Sequence, residues 1–171
     1  FSIEFVQHQL WDQNYRDNVS LIQTTARVDG TLYDLLMNDP VAIENLDTQS
    51  TNLWSSNITY YRDDFITTSK NSWIDLDDDG AITPDDKAAP ETGFQLGVRC
   101  DLSQEGDPLG SAVFISDSSI GINHMWVEAQ NSDFLVALVK SMIGADGVIL
   151  FDESRHTQES FGASLFQAAL G

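Results

Sequence analysis

Asp75 to Asp86, DLDDDGAITPDD, is the stretch whose residue types and spacing bear most directly on chemistry. Asp occupies loop positions one, three, five and twelve, as Asp75, Asp77, Asp79 and Asp86, and Gly80 stands at six. Ca²⁺ is a hard cation that takes six to eight oxygens at about 2.3–2.6 Å. Alternate residues of a tight loop can turn several carboxylates to one centre. Gly80 supplies the sharp turn, the Ala81 carbonyl is the expected backbone ligand, and Thr83 or water completes the shell. The competing reading is an acidic, solvated turn in an acidic protein, because short motifs of this kind recur without a metal.

The twelfth position discriminates further. An EF-hand closes with a bidentate Glu, whereas this loop closes with Asp86. In that respect the spacing resembles the calcium loops of dockerins. The residues that follow, KAAPETG, contain Pro90 and Gly93, so no helix of useful length leaves the loop. The expectation is a lone calcium loop between non-helical segments.

Composition narrows the function classes. The 171 residues carry 27 acidic against 8 basic side chains, a formal net charge of −19. Phosphate binding requires clustered Lys and Arg, so nucleic acid is excluded as a partner. An anionic membrane surface would repel the chain, and no apolar run approaches the roughly 18 residues of a transmembrane helix. A content of 42% hydrophobic residues is that of a globular domain and is enough for one core. Cys100 is the only cysteine, which rules out an intramolecular disulfide; it sits in the apolar run FQLGVRC and reads as a small core residue.

The elements that must position these residues follow from periodicity. Ser2–Val6 and Val19–Val28 read as strands. Leu32, Leu35 and Leu36 suggest a short helical turn after Asp29-Gly30. Pro40–Tyr61 reads as irregular, ending in a strand near Ile58–Tyr61. Phe94–Asp101 reads as a strand, and Gly110–Asp117 (GSAVFISD) as a buried one. Ala129–Ile143 has helical spacing of Phe134, Leu135, Leu138, Val139 and Met142. Gly147–Glu153 (GVILFDE) reads as a second buried strand, and Thr157–Leu170 as a helix. The order β–α–β–α predicts parallel strands with crossover helices.

The succession GSAVFISDSSIGINHMW, NSDFLVALVKSMIG and GVILFDESRH resembles membrane-anchored archaeal and bacterial domains of the glutamine-amidotransferase-like superfamily, relatives of auxiliary domains of gliding-motility-type ABC transport systems. The resemblance covers roughly residues 73–156. It implies a single α/β domain over residues 1–171, three-layered, with a mostly parallel, flavodoxin- or amidotransferase-like sheet. The family's first strand–helix units are not found, so part of that sheet would precede Phe1 or be absent. The resemblance also implies an extracytoplasmic, membrane-anchored, transporter-associated setting, with the anchor outside this chain.

On such a sheet, sites form beyond the carboxyl ends of strands. Asp117, Asn123, Asn131, Asp152, Glu153 and His156 would then converge on a polar site for a small ligand or an unidentified protein partner. Structural roles compete: Asn131 as a helix cap, Asp117 as a turn brace. Amidotransferase-like catalysis needs a Cys at a strand-to-helix elbow, where this chain reads Ser116-Asp117-Ser118. There is no G-x-S-x-G elbow, P-loop or zinc spacing. The sequence reading is a non-catalytic binding domain stabilised by calcium; the alternative is a hydrolase using Asp152, Glu153 and His156.

Overall fold

A computed structural model of the chain describes residues 3–44, 58–105 and 107–143. Its sheets are built from hairpins. β1 (Glu4–Phe5), β2 (Gln9–Asp12) and β3 (Tyr15–Arg16) are short. β4 (Asn18–Val28) and β5 (Thr31–Asn38) form a long hairpin, followed by β6 (Ile43–Glu44). β7 (Ile58–Thr67), β8 (Ser72–Asp75) and β9 (Lys87–Ala88) come next. β10 (Gln95–Gln104) and β11 (Asp107–Ile115) form a second long hairpin, and α1 (Asn123–Trp126) and α2 (Asn131–Ile143) close the described chain.

Every ladder among the described residues is antiparallel. With 45% strand against 13% helix, the protein is a mostly antiparallel β structure, and the expected three-layer, mostly parallel α/β sheet is wrong. The physical reason lies in β11. A continuous apolar run suits a strand buried on both faces, but Ala112–Ile115 is only half-buried and pairs antiparallel with β10, from Gly97↔Ile115 to Gln104↔Asp107. The expected second strand, Gly147–Glu153, and the helix expected over Thr157–Leu170 lie outside the described residues.

The expected helical turn at Leu32–Leu36 is corrected too. Asp29 (φ 47°) and Gly30 (φ 82°) both take positive φ. Two such residues make the tight turn whose twist matches a hairpin, so the chain returns at once as β5. Along β4, Ile22, Ala26 and Val28 point inward while Gln23, Thr25 and Arg27 are exposed, the period of two of a half-buried strand.

The larger sheet runs β1-β6-β10-β7-β4-β3, with β11 on β10 and β5 on β4; β2-β8-β9 forms a smaller sheet. One core joins them: Leu10 and Ile74 from the small sheet pack with Ile22, Met37, Ile66 and Leu96 from the large one and with Phe134 and Leu138 of α2. Burying each such side chain fully is worth about 1.5–3 kcal/mol. Beyond the ends of β7 and β10 their pairing continues: Thr68 N donates to Phe94 O at 2.9 Å and Phe94 N to Thr68 Oγ1 at 2.8 Å. Asp12 at the end of β2 is buried and accepts from Asn14 N, Ser69 N and Ser69 Oγ.

The Thr68–Phe94 junction requires glycine at position 93. Gly93 has φ 79°, and a Cβ there would lie 2.1 Å from Thr68 O. Gly30 has a similar φ but open space around it. Gly30→Ala is therefore expected to cost about 1–2 kcal/mol, the left-handed strain alone. Gly93→Ala adds a backbone collision and should cost clearly more, about 3 kcal/mol or above. Urea unfolding of the two variants measures the difference, and equal costs would contradict the packing described.

Candidate metal centre

The acidic loop joins β8 to β9, which pair as Trp73↔Ala88 and Ile74↔Lys87. Its flanks are strands. Asp75 is the last residue of β8, fully buried, and shares one face with Trp73, which stacks on Trp11 of β2 at 5.9 Å between centroids. Asp86 precedes β9 and is half-buried; Asp77 is exposed. The hairpin closure therefore brings loop positions one and twelve together.

Carboxylate oxygens of Asp75, Asp77 and Asp86 all lie within 4.8 Å of one another. Two oxygens on opposite sides of a Ca²⁺ are separated by about 4.6–5.2 Å, twice the bond length. The three groups thus fit one coordination sphere. Backbone amides hold them there. Asp75 Oδ1 accepts from Asp79 N at 3.2 Å and Oδ2 from Gly80 N at 2.9 Å. Asp86 Oδ1 accepts from Leu76 N at 3.0 Å and Oδ2 from Thr83 N at 2.7 Å. Each carboxylate oxygen has two acceptor sites, so one amide bond apiece leaves capacity for a cation. The turn that delivers these amides runs through Asp78 (φ 57°) and Gly80 (φ 75°).

Two expected ligands stand differently. Asp79 is outside the converging group, and its Oδ1 accepts from Ala81 N at 2.8 Å. Ala81 is exposed, and the contact it makes is this amide. Asp78, not singled out by the sequence, lies 3.6 Å from His8 Nδ1.

The electrostatics of the loop divide its carboxylates. Asp77 is held above the ordinary carboxylate range, first by loss of hydration, then by the charges of Asp79 and Asp86 and a bond with Asp75, against an opposing amide bond from Asp79. Asp86 is held below it by the amides of Thr83 and Leu76.

The second expected site resolves into another kind of structure. Asp117 and Asn131 are both buried, and both reach β5. Asp117 Oδ2 accepts from Asn38 N at 2.8 Å, while its Oδ1 accepts from Ser119 N and Oγ. Asn131 behaves as a short strand: its Oδ1 accepts from Leu36 N at 3.1 Å, and its Nδ2 donates to Leu36 O and Met125 O at 2.8 Å. Gln130, which the sequence reading missed, completes the set. Its Oε1 accepts from Asp34 N and its own N donates to Asp34 O, both at 2.9 Å. Alternate residues of the outer edge of β5 are thereby sealed by side chains (Fold edges are otherwise open to pairing). The polar run at the start of α2 was the available sign of this. Asn123 begins α1; Asp152, Glu153 and His156 lie outside the described residues.

No family model, curated protein or solved structure matches the chain.

Two outcomes follow. Asn131→Leu removes the partners of a buried amide and two carbonyls, at about 1–3 kcal/mol for each group left unsatisfied, so urea unfolding should show a loss of about 2–4 kcal/mol. Asp77 has a raised pKa when folded, so its charged form disfavours the metal-free fold above that pKa, and protonation relieves this as pH falls. Asp86 is the reverse: its contribution is full above the ordinary carboxylate pKa and is lost as pH falls through its lowered one. Asp77→Asn should therefore melt slightly above the parent at neutral pH in chelator, by a few degrees at most for so exposed a group. A lower melting point would contradict the charge balance described.

Proposed function

We propose that this protein is a non-catalytic binding module that carries a structural Ca²⁺ in the β8–β9 loop and works outside the cytoplasm. The convergence of Asp75, Asp77 and Asp86 at one hairpin, from the spacing that Ca²⁺ loops use, is the observation that carries this reading. Asp77 is exposed and the closing residue is Asp in place of the bidentate Glu, so few charged ligands are fixed in advance. Such a site belongs with weak modules, whose Kd is about 10⁻⁴–10⁻³ M. Extracytoplasmic media supply Ca²⁺ in that range, which is the argument for location.

The module's partner is a protein or a small polar ligand, and any membrane attachment comes through segments outside this chain. The non-catalytic part of the proposal is supported by Ser116-Asp117-Ser118 standing where an elbow Cys would be needed, and by Asp117 and Asn131, which bond to β5, Ser119 and Met125. Their engagement leaves them poorly placed to hold a substrate.

Calorimetry tests the metal. Protein stripped with chelator should bind one Ca²⁺ with heat. At a low-millimolar concentration, about 10 times such a Kd, the fold should gain about 1.4 kcal/mol, which raises the melting temperature by about 3–6 °C for a chain of this size. Asp75→Asn and Asp77→Asn should lose that gain. Neither heat nor a melting shift at a low-millimolar Ca²⁺ concentration, or an equal shift in both variants, would overturn the proposal.

A further inference from the structure

We infer that the folded state depends on the ionic strength of its medium, with monovalent cations acting as a diffuse partner of its surface. With 27 acidic and 8 basic side chains, pairing every cation would still leave 27 − 8 = 19 carboxylates without one. The described ion pairs lie at the surface: Arg16 with Asp17 and Glu128, Lys70 with Glu91, Lys87 with Glu44, and Arg99 with Asp101. Pairs of that kind contribute about 0–1 kcal/mol, so they offset little of the excess.

The unpaired charge is spread over the turns of the large sheet. Asp29, Asp34, Asp39, Glu105 and Asp107 are all exposed, and no ion pair among the described residues involves them. They sit at the β4–β5 turn, on β5 and just after it, and at the β10–β11 turn. Folding brings like charges closer than the expanded chain does, and net charge far from zero opposes the compact state. The screening length falls from about 30 Å at 0.01 M salt to about 3 Å at 1 M. Monovalent salt therefore removes a penalty that the folded state bears more heavily than the unfolded one. This holds whether or not the acidic loop takes Ca²⁺.

Thermal melting in chelator, from about 0.01 M to about 1 M KCl, tests the inference without interference from divalent ions. The parent's melting temperature should rise by about 10 °C or more. A fivefold variant, Asp29→Asn, Asp34→Asn, Asp39→Asn, Glu105→Gln and Asp107→Asn, lowers the net charge from −19 to −14. None of these five side chains holds a described hydrogen bond, and Asn tolerates the positive φ at positions 29 and 39. The variant should melt above the parent at low salt and respond less steeply to KCl. A parent insensitive to KCl would overturn the inference, as would a variant that rises as steeply as the parent, because salt would then be acting on apolar burial.

Discussion

The structure depends on one recurrent interaction: a side-chain oxygen that accepts a hydrogen bond from a backbone amide where no strand or helix supplies a carbonyl. A buried amide without a partner costs about 1–3 kcal/mol, so wherever sheets end or turn, the chain must provide acceptors. At the outer edge of β5 they are Gln130, Asn131 and Asp117. At the end of the β7–β10 pair it is Thr68, and between the small sheet and the end of β7 it is Asp12. In the β8–β9 loop they are Asp75, Asp79 and Asp86. This chemistry fixes α2 to the large sheet, the large sheet to the small one, and the loop to itself.

The same interaction has different consequences according to what surrounds it. Asp117 and Asn131 are buried, and their polar atoms bond mainly to backbone groups at and near β5. They spend their capacity on holding an edge. In the loop, three carboxylates are gathered by amides around a point that is buried on the Asp75 side and open on the Asp77 side. Mutual repulsion there is the balance that a cation relieves. The loop differs from the β5 edge in how many like charges converge and in whether solvent can bring an ion to them.

Much of this is readable in the residues. The Asp75–Asp77–Asp86 convergence follows from loop spacing because strands close the loop where a helix would otherwise leave it. β4, β10 and α2 follow from periodicity, with boundaries shifted by a few residues. The parallel sheet did not follow. GSAVFISD carries the apolar run of a doubly buried strand, but an antiparallel hairpin strand with half-buried side chains has the same composition, and pairing direction is a non-local property. Leu32–Leu36 has helical spacing, yet the turn at Asp29-Gly30 commits the chain to a hairpin before a helical turn can form. Asp79 and Ala81 stand at ligand positions of the motif, but local amide bonding turns Asp79 toward its own loop. Gln130 has no motif at all; only the position of the β5 edge reveals its role.

The central claim, that the hairpin loop is a cation site, is tested most directly by sensitised terbium luminescence. Tb³⁺ prefers the same hard oxygen ligands as Ca²⁺, and Trp73 lies two residues before Asp75 on the same face of β8. Excitation of tryptophan should produce terbium emission that saturates at one ion per chain, is displaced by Ca²⁺, and is lost in Asp75→Asn. Terbium emission that persists in that variant, or none in the parent, would contradict the account.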